Sequence, residues 1–404
     1  MTTLAQVKPT LTELVPWTDR RGRFDRVRAG VFLLLLLPGL WLGVRWAGHM
    51  LGPEPVNAAI HSTGYWAIWL LLASLVVSPL RALAWSPNLA VLRRMVGNAA
   101  FVYAALHLVL YSMDQQWRLL TIVSEIVKRF YLTIGFVALL GLAALFVTST
   151  DGWMRTLGRA WKRLHRLAYP IAGLGLVHYI LQSKLDVSQA LLAMGVFTWL
   201  MLWRVLPGGL DRQLLPLLGI SVLAAGLTLA CEYLWYRFGT RSDAIRVVLG
   251  ELDVSFGLRP AGQVLLLGLV ASVAAELRRR ALTRFGRMEV FTMAVFAACA
   301  FVGDGAALFA GWQPDDPAPA DLPWWMVVGL CAAVCAVLGW RRWKAEHRQR
   351  QLVDAAMAAF IVFQSTYDGP IIRRLQAIGL LAAMALVTGA VIARRSRGHA
   401  QASR

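Results

Sequence analysis

The chain has 404 residues, 58% of them hydrophobic and only 16% charged, a balance that makes lipid rather than water its main solvent and sets aside a soluble globular fold. A formal net charge of +19 would suit a nucleic-acid binder, yet the basic residues come in short clusters between apolar stretches of bilayer length. Nucleic acid is therefore set aside as a partner.

The first apolar run, Ala29 to about Trp46, follows the charged stretch DRRGRFDRVR and lacks a small-residue cleavage site, so it is expected to be a retained helix rather than a signal peptide. A spanning helix needs about 20 mostly apolar residues. On that criterion segments are predicted near 30–50, 64–80, 96–113, 130–148, 167–183 and 187–206. Six more are predicted near 214–235, 262–277, 289–311, 324–340, 352–367 and 373–393, the eleventh being short and amphipathic enough to lie in the interface instead. The fold class expected is an all-α polytopic membrane bundle of about 12 helices. The PGG at 207–209 divides it into a first domain of residues 1–206, with six helices, and a second of residues 207–404.

Orientation follows from the loops. DRRGRFDRVR, the loop from Arg81 to Arg94, RTLGRAWKRLHR, ELRRRALTRFGR, RRWKAEHRQR and the tail ARRSRGHAQASR fall on one side if every segment crosses. The positive-inside rule makes that side cytoplasmic, with both termini there. GWQPDDPAPAD, acidic and Pro-rich, and the nearly neutral HMLGPEPVNAAIH fall on the other side. The four cysteines, Cys231, Cys299, Cys331 and Cys335, have neither zinc spacing nor a disulfide framework and are expected to be packing residues.

Five of the seven histidines lie before residue 180, so redox chemistry belongs to the first half. His107, His165 and His178 stand in the apolar runs LHLVL, RLHRLAY and LVHYIL, where a buried polar ring is costly without a partner. Counted along outward-running segments, His107 and His178 fall at similar depth on different helices, which is what bis-histidine ligation of a heme requires. His165 falls at the cytoplasmic mouth, about 20 Å from His178. Arg94 precedes His107 by the same thirteen residues that separate His165 from His178, so the fourth corner of a two-heme arrangement holds a guanidinium. One outer heme is the firmer expectation; an inner cofactor near His165 would have one histidine and an arginine suited to propionates or phosphate. Thirteen residues at about 100° each leave His165 and His178 roughly 140° apart on an ideal helix, so either Pro170 kinks the helix or His165 lies outside it. The plainer reading of each histidine is a hydrogen bond to a neighbouring helix. His61, in IHSTGYW ahead of the second segment, is open between a quinol-site proton acceptor, an alternative ligand and an interfacial residue; His49 is a loop residue.

IHSTGYWA, SPLRAL, LRRMVGNAAFVYAALHLVLY, IVKRFYLTIGF and TSTDGWMRTLGRAWKRLHRLAYPIAGLGLVHY, taken in order, closely resemble the MsrQ family, part of the ferric-reductase-like transmembrane group, over about residues 30–206. The resemblance implies a six-helix, b-type heme protein with His107 and His178 as heme ligands and His165 as a third heme-associated histidine. It implies electrons drawn from the quinone pool or a cytoplasmic flavin reductase, with FMN as a candidate second cofactor. It also implies delivery to a periplasmic molybdopterin-containing reductase subunit that repairs oxidised methionine. Family members are about half this length, so residues 207–404 stand outside the resemblance.

In that second half Asp304, set mid-segment in AFVGDGAALFA, is a candidate functional carboxylate, or else an Asp bonded to a neighbouring helix or to water. Glu232 and Asp354, nearer segment ends, are expected to be interfacial. No Walker motif or GxGxxG after a strand appears, and the soluble FAD and NADPH domain of oxidase relatives is missing, so electrons must enter from a separate donor. The reading is an electron-transfer subunit. Its rivals are a ferric, metal or oxygen reductase of the same fold, and a heme-regulated transporter or sensor working through the C-terminal helices.

Overall fold

The computed structural model describes residues 15–18, 22–83, 89–183, 186–240, 243–250 and 259–279, and among them every regular element is a helix apart from one isolated bridge between Thr18 and Phe24. In chain order these are α1 (Arg26–Ala47), α2 (Pro55–Leu83), α3 (Leu89–Asp114), α4 (Leu119–Lys128) and α5 (Phe130–Val147). Two short helices, α6 (Asp151–Leu157) and α7 (Arg159–His165), lead into α8 (Ala168–Gln182) and α9 (Ser188–Val205). Past a 3-10 turn at Leu210–Arg212 come α10 (Leu214–Gly239), α11 (Ala244–Leu249) and α12 (Pro260–Arg279). The described helices fall into two compact units, α1–α10 with α12 in one and α11 in the other.

Six helices, α1, α2, α3, α5, α9 and α10, are long and apolar enough to cross a membrane. Their outward faces carry the signature of lipid contact. Leu33, Leu37, Leu40 and Val44 on α1, Val102 and Val109 on α3, and Val137, Leu140 and Val147 on α5 are all exposed. A water-soluble protein would not spread so much contiguous apolar surface.

The seven predicted segments up to residue 235 each coincide with a helix, with two differences. The second begins at Pro55 rather than near 64, so His61 lies inside α2 and not ahead of it. α4 was not expected at all, because its 10 residues are too few for a span. The predicted segment at 262–277 lies in α12, whose apolar part is the short stretch Pro260–Ser272. The segments from 289 onward, with Asp304, Asp354, Cys299, Cys331 and Cys335, lie outside the described residues.

Packing is pairwise. α2 lies against α3, α5 against α8, and α10 against α12, while α9 touches α2, α8, α10 and α12 and so ties the first half to the helices that follow it. At the junction of α2, α8 and α9 a dry cluster of Leu72, Leu176 and Ala193 is buried, with Ile68 and Phe197 packed against it. Burying a leucine side chain contributes about 2 kcal/mol in water but little in lipid, where tight small-residue seams take over that task. The seam between α9, α10 and α12 is of this kind. Gly195 lies against Thr228 and Val264, and Gly268 against Ser221 and Trp199. Trp199 donates its indole N–H to the Ser221 hydroxyl at 3.0 Å. Glu232, expected at an interface with water, is instead fully buried on α10; it shares a helical face with Ser221 and Thr228, which are buried too.

The Tyr103 side chain of α3 bonds directly to the backbone of α1. Pro38 interrupts the hydrogen-bond ladder of α1. One residue on, the Tyr103 hydroxyl enters the helix backbone, accepting from the Gly39 N–H at 2.7 Å and donating to the Leu35 carbonyl at 2.9 Å. The hydroxyl thus replaces one internal link of α1 and holds that helix one turn before His107 on α3. α11, in its own unit, starts from Asp243, whose carboxylate accepts from the N–H groups of Ile245 and Arg246.

Candidate functional site

The site grows from two helix pairs built alike. His107 on α3 turns Nδ1 toward the Ile60 carbonyl of α2 at 2.8 Å, and His178 on α8 turns Nδ1 toward the Tyr131 carbonyl of α5 at 2.8 Å. Each histidine lies 47 residues beyond the carbonyl it uses. One helical turn after each carbonyl stands a glycine. A Cβ at Gly64 would meet His107 Nδ1 at 3.0 Å, and one at Gly135 would meet His178 Nδ1 at 2.7 Å. Because Cβ atoms in a helix lean toward the N-terminus, a side chain there would stand over the carbonyl and keep the ring away. These two glycines are what bring an imidazole onto helix backbone.

A carbonyl can only accept, so in both rings Nδ1 carries the proton and Nε2 keeps its lone pair. That is the tautomer a metal-ligating histidine adopts when its other nitrogen is anchored. The two ring centroids lie 6.4 Å apart with planes at 83°. The Tyr131 ring stacks beside His178 at 6.3 Å and 26°. Both histidines are therefore oriented by backbone, on four different helices, at the same end of the bundle.

The opposite, basic end holds the other predicted residues in a different arrangement. Arg94 donates to the Ser149 carbonyl at 3.1 Å and pairs with Asp151 at 2.5 Å, so its guanidinium is committed to the α5–α6 corner. Thr150 caps α6 there, accepting from the Trp153 N–H. His165 is the last residue of α7, a helix separate from α8, which removes the azimuthal conflict; Pro170 lies in the first turn of α8, where it breaks no ladder. The Thr148 hydroxyl gives its proton to the Ala144 carbonyl at 2.7 Å and so accepts from His165 Nε2 at 3.2 Å. The ring stacks on Trp161 at 4.0 Å, and Trp161 in turn donates to the Thr148 carbonyl at 2.8 Å. Burial holds the His165 imidazole below its ordinary pKa, the Thr148 backbone carbonyl opposes that shift, and the nearby Arg93 charge adds to it.

The structure thus brings His107 and His178 together and places His165 and Arg94 at the far end, apart from them. His61 sits on α2 next to Ile60, on the exposed side of the helix. His49 is in the turn after α1. Sequence reasoning missed a further group at the basic end. The Arg204 guanidinium lies 5.1 Å over the Tyr169 ring, and Arg93 is close by. Arg204 also reaches across to the Leu75 carbonyl of α2 at 2.7 Å. The Ile60 and Tyr131 carbonyls leave no side-chain signal, but the equal spacing of Gly64–His107 and Gly135–His178 was there to be found. No cluster of three or more His, Cys, Asp or Glu side chains suited to a bare metal ion exists among the described residues.

Residues 63–176 match the family profile of the ferric reductase like transmembrane component. The heme-binding subunit MsrQ of protein-methionine-sulfoxide reductase from Rhodospirillum rubrum is 45% identical over 198 residues, which is 48% of this chain and 92% of that relative. The subunits of the same name from Xanthomonas campestris pv. campestris (strain 8004) and Caulobacter vibrioides are 42% and 40% identical, over 44% of this chain in each case and 84% and 86% of theirs. No solved structure matches the chain.

Proposed function

Since the chain belongs to the MsrQ family through its first half, we propose that it is a multi-pass membrane protein that binds heme between His107 and His178 and carries electrons from one membrane face to an oxidoreductase on the other. The observation that carries this reading is the pair of backbone-anchored imidazoles. Imidazole–metal bonds run at about 2 Å, so two rings sharing one metal would have centroids up to about 6 Å apart once the ring radii are added; the observed separation is 6.4 Å. The sequence has no Cys-x-x-Cys-His attachment motif, so the heme would be held by ligation and packing alone, as a b-type heme.

When bound, the iron supplies one-electron chemistry between its ferric and ferrous states. The chain's own residues do the rest. The Ile60 and Tyr131 carbonyls hold each ring in the ligating tautomer and raise its basicity. Tyr103, buried one turn from His107, pins α1 to α3 and fixes the wall beside it. Arg93, Tyr169 and Arg204 form a cationic group at the basic end, chemically suited to the phosphate of FMN or the oxygens of a quinone. On this reading the basic end is cytoplasmic, in the inner membrane, where quinol or a flavin reductase would donate. The paired-histidine end is periplasmic, facing a molybdopterin-containing subunit that reduces methionine sulfoxide. Of the second predicted domain, residues 207–404, the described helices α10 and α12 pack on each other and on α9.

The test is the optical spectrum of the purified protein beside its H107A and H178A variants. The expected result is a low-spin b-type spectrum in the wild type that is lost in both variants. Undiminished heme in the two variants would overturn the ligand assignment, and a wild type without heme would overturn the function.

A further inference from the structure

We propose that α4 (Leu119–Lys128) is an in-plane anchor, lying along the membrane surface with one face in the lipid, and that it sets the depth of the paired-histidine end. The proposal rests on the membrane-spanning reading of α3 and α5 and is independent of heme.

At about 100° per residue the side chains of α4 sort into three arcs. Leu119, Leu120, Val123 and Val127 share the first, and they are 71, 89, 59 and 73% exposed. Thr121, Ser124, Glu125 and Lys128 share the second, which is polar. Ile122 and Ile126 lie in the third, where Ile122 is only 5% exposed. A helix between two phases needs two faces; one that also packs on protein needs three. Protein, water and hydrocarbon account for all of them.

The lipid assignment of the first arc comes from continuity. α4 connects two helices that reach the bilayer surface, so it has no route away from the interface. Its apolar arc runs on through Phe130, 74% exposed, into the exposed row of Val137, Leu140 and Val147 on α5. Trp117, 58% exposed at the start of α4, supplies the aromatic residue that interfacial segments favour. Gln116 and Trp117 both take positive φ, 55° and 57°, which turns the chain sharply out of α3 and into the plane.

The anchor is tied to the site. The Thr133 hydroxyl donates to the Ile126 carbonyl at 2.5 Å, Arg129 pairs with Glu125, and Arg129 also reaches the Tyr131 hydroxyl at 3.2 Å. Tyr131 is the residue whose carbonyl orients His178. Seating α4 in the interface therefore fixes the start of α5 and, through it, one of the two imidazoles.

The experiment places single cysteines at Leu120, Val127, Thr121 and Lys128, in the full chain with its native cysteines replaced, and attaches a nitroxide to each in proteoliposomes. Dissolved oxygen should relax the labels at 120 and 127 most, and a water-soluble nickel chelate should reach those at 121 and 128 several-fold better. Equal chelate access at all four positions would overturn the proposal. Labels at 120 and 127 that are immobile and shielded from both relaxants would also overturn it, showing that protein and not lipid covers the arc.

Discussion

The two ends of the heme-family half carry residues at matched sequence spacing and use them in opposite ways. At one end a backbone carbonyl takes Nδ1 of each histidine and leaves Nε2 for a ligand. At the other, Nε2 of His165 is spent on a threonine hydroxyl and its face on a tryptophan, while Arg94, the counterpart of His165, is spent on Asp151. Equal spacing places side chains at equal depth. What each one can do is decided by which of its polar atoms the neighbouring helix has already engaged.

The sharpest way to break this contrast is to exchange its members. H165A is expected to keep the spectrum of the outer heme, whereas H178A loses it; loss of that spectrum in H165A would erase the distinction between the ends. Next in size is the cradle. Gly135→Ala puts a Cβ 2.7 Å from the His178 ring and is expected to weaken heme binding by roughly 10–100-fold, as outer-shell changes do at metal sites. Gly64→Ala, with its contact at 3.0 Å, should cost less. Titration of the apoprotein with hemin measures both.

Smaller effects belong to the basic end. Asp151→Asn removes the partner of Arg94, a pair about a quarter exposed, and is expected to cost about 1 kcal/mol, seen as a few degrees in Tm with the heme spectrum unchanged. The smallest effect is pH-linked. Burial lowers the His165 pKa from 6.5 in the folded protein, so as pH falls the unfolded chain takes up its proton first. The contribution of His165 is thus complete above about pH 6.5 and declines below it, and the fall in Tm between about pH 7.5 and 5.5 should be shallower in H165Q than in the wild type.

Much of this was legible in the sequence because it depends on depth, and depth is counted along a helix. The first spans and the common level of His107 and His178 follow from apolar run lengths. Contacts between helices were not legible in the same way. His61 was placed outside the second segment because helix α2 continues through polar residues at its start. Glu232 was placed near water by its position along α10, whereas the face it shares with Ser221 and Thr228 buries it between helices. The azimuthal conflict between His165 and His178 arose from assuming one continuous helix where there are two. The carbonyls of Ile60 and Tyr131 have no side-chain signature, and only the glycines one turn beyond them mark their use.

The central claim is that two imidazoles at near-right angles bracket one iron, and low-temperature EPR of the oxidised protein tests it most directly. Two imidazoles held as these rings are, with planes at 83°, would give a bound heme iron a strongly anisotropic low-spin signal with a large leading g value, and that is the signal expected. A high-spin ferric signal as the only heme species in intact protein would contradict bis-histidine ligation by His107 and His178.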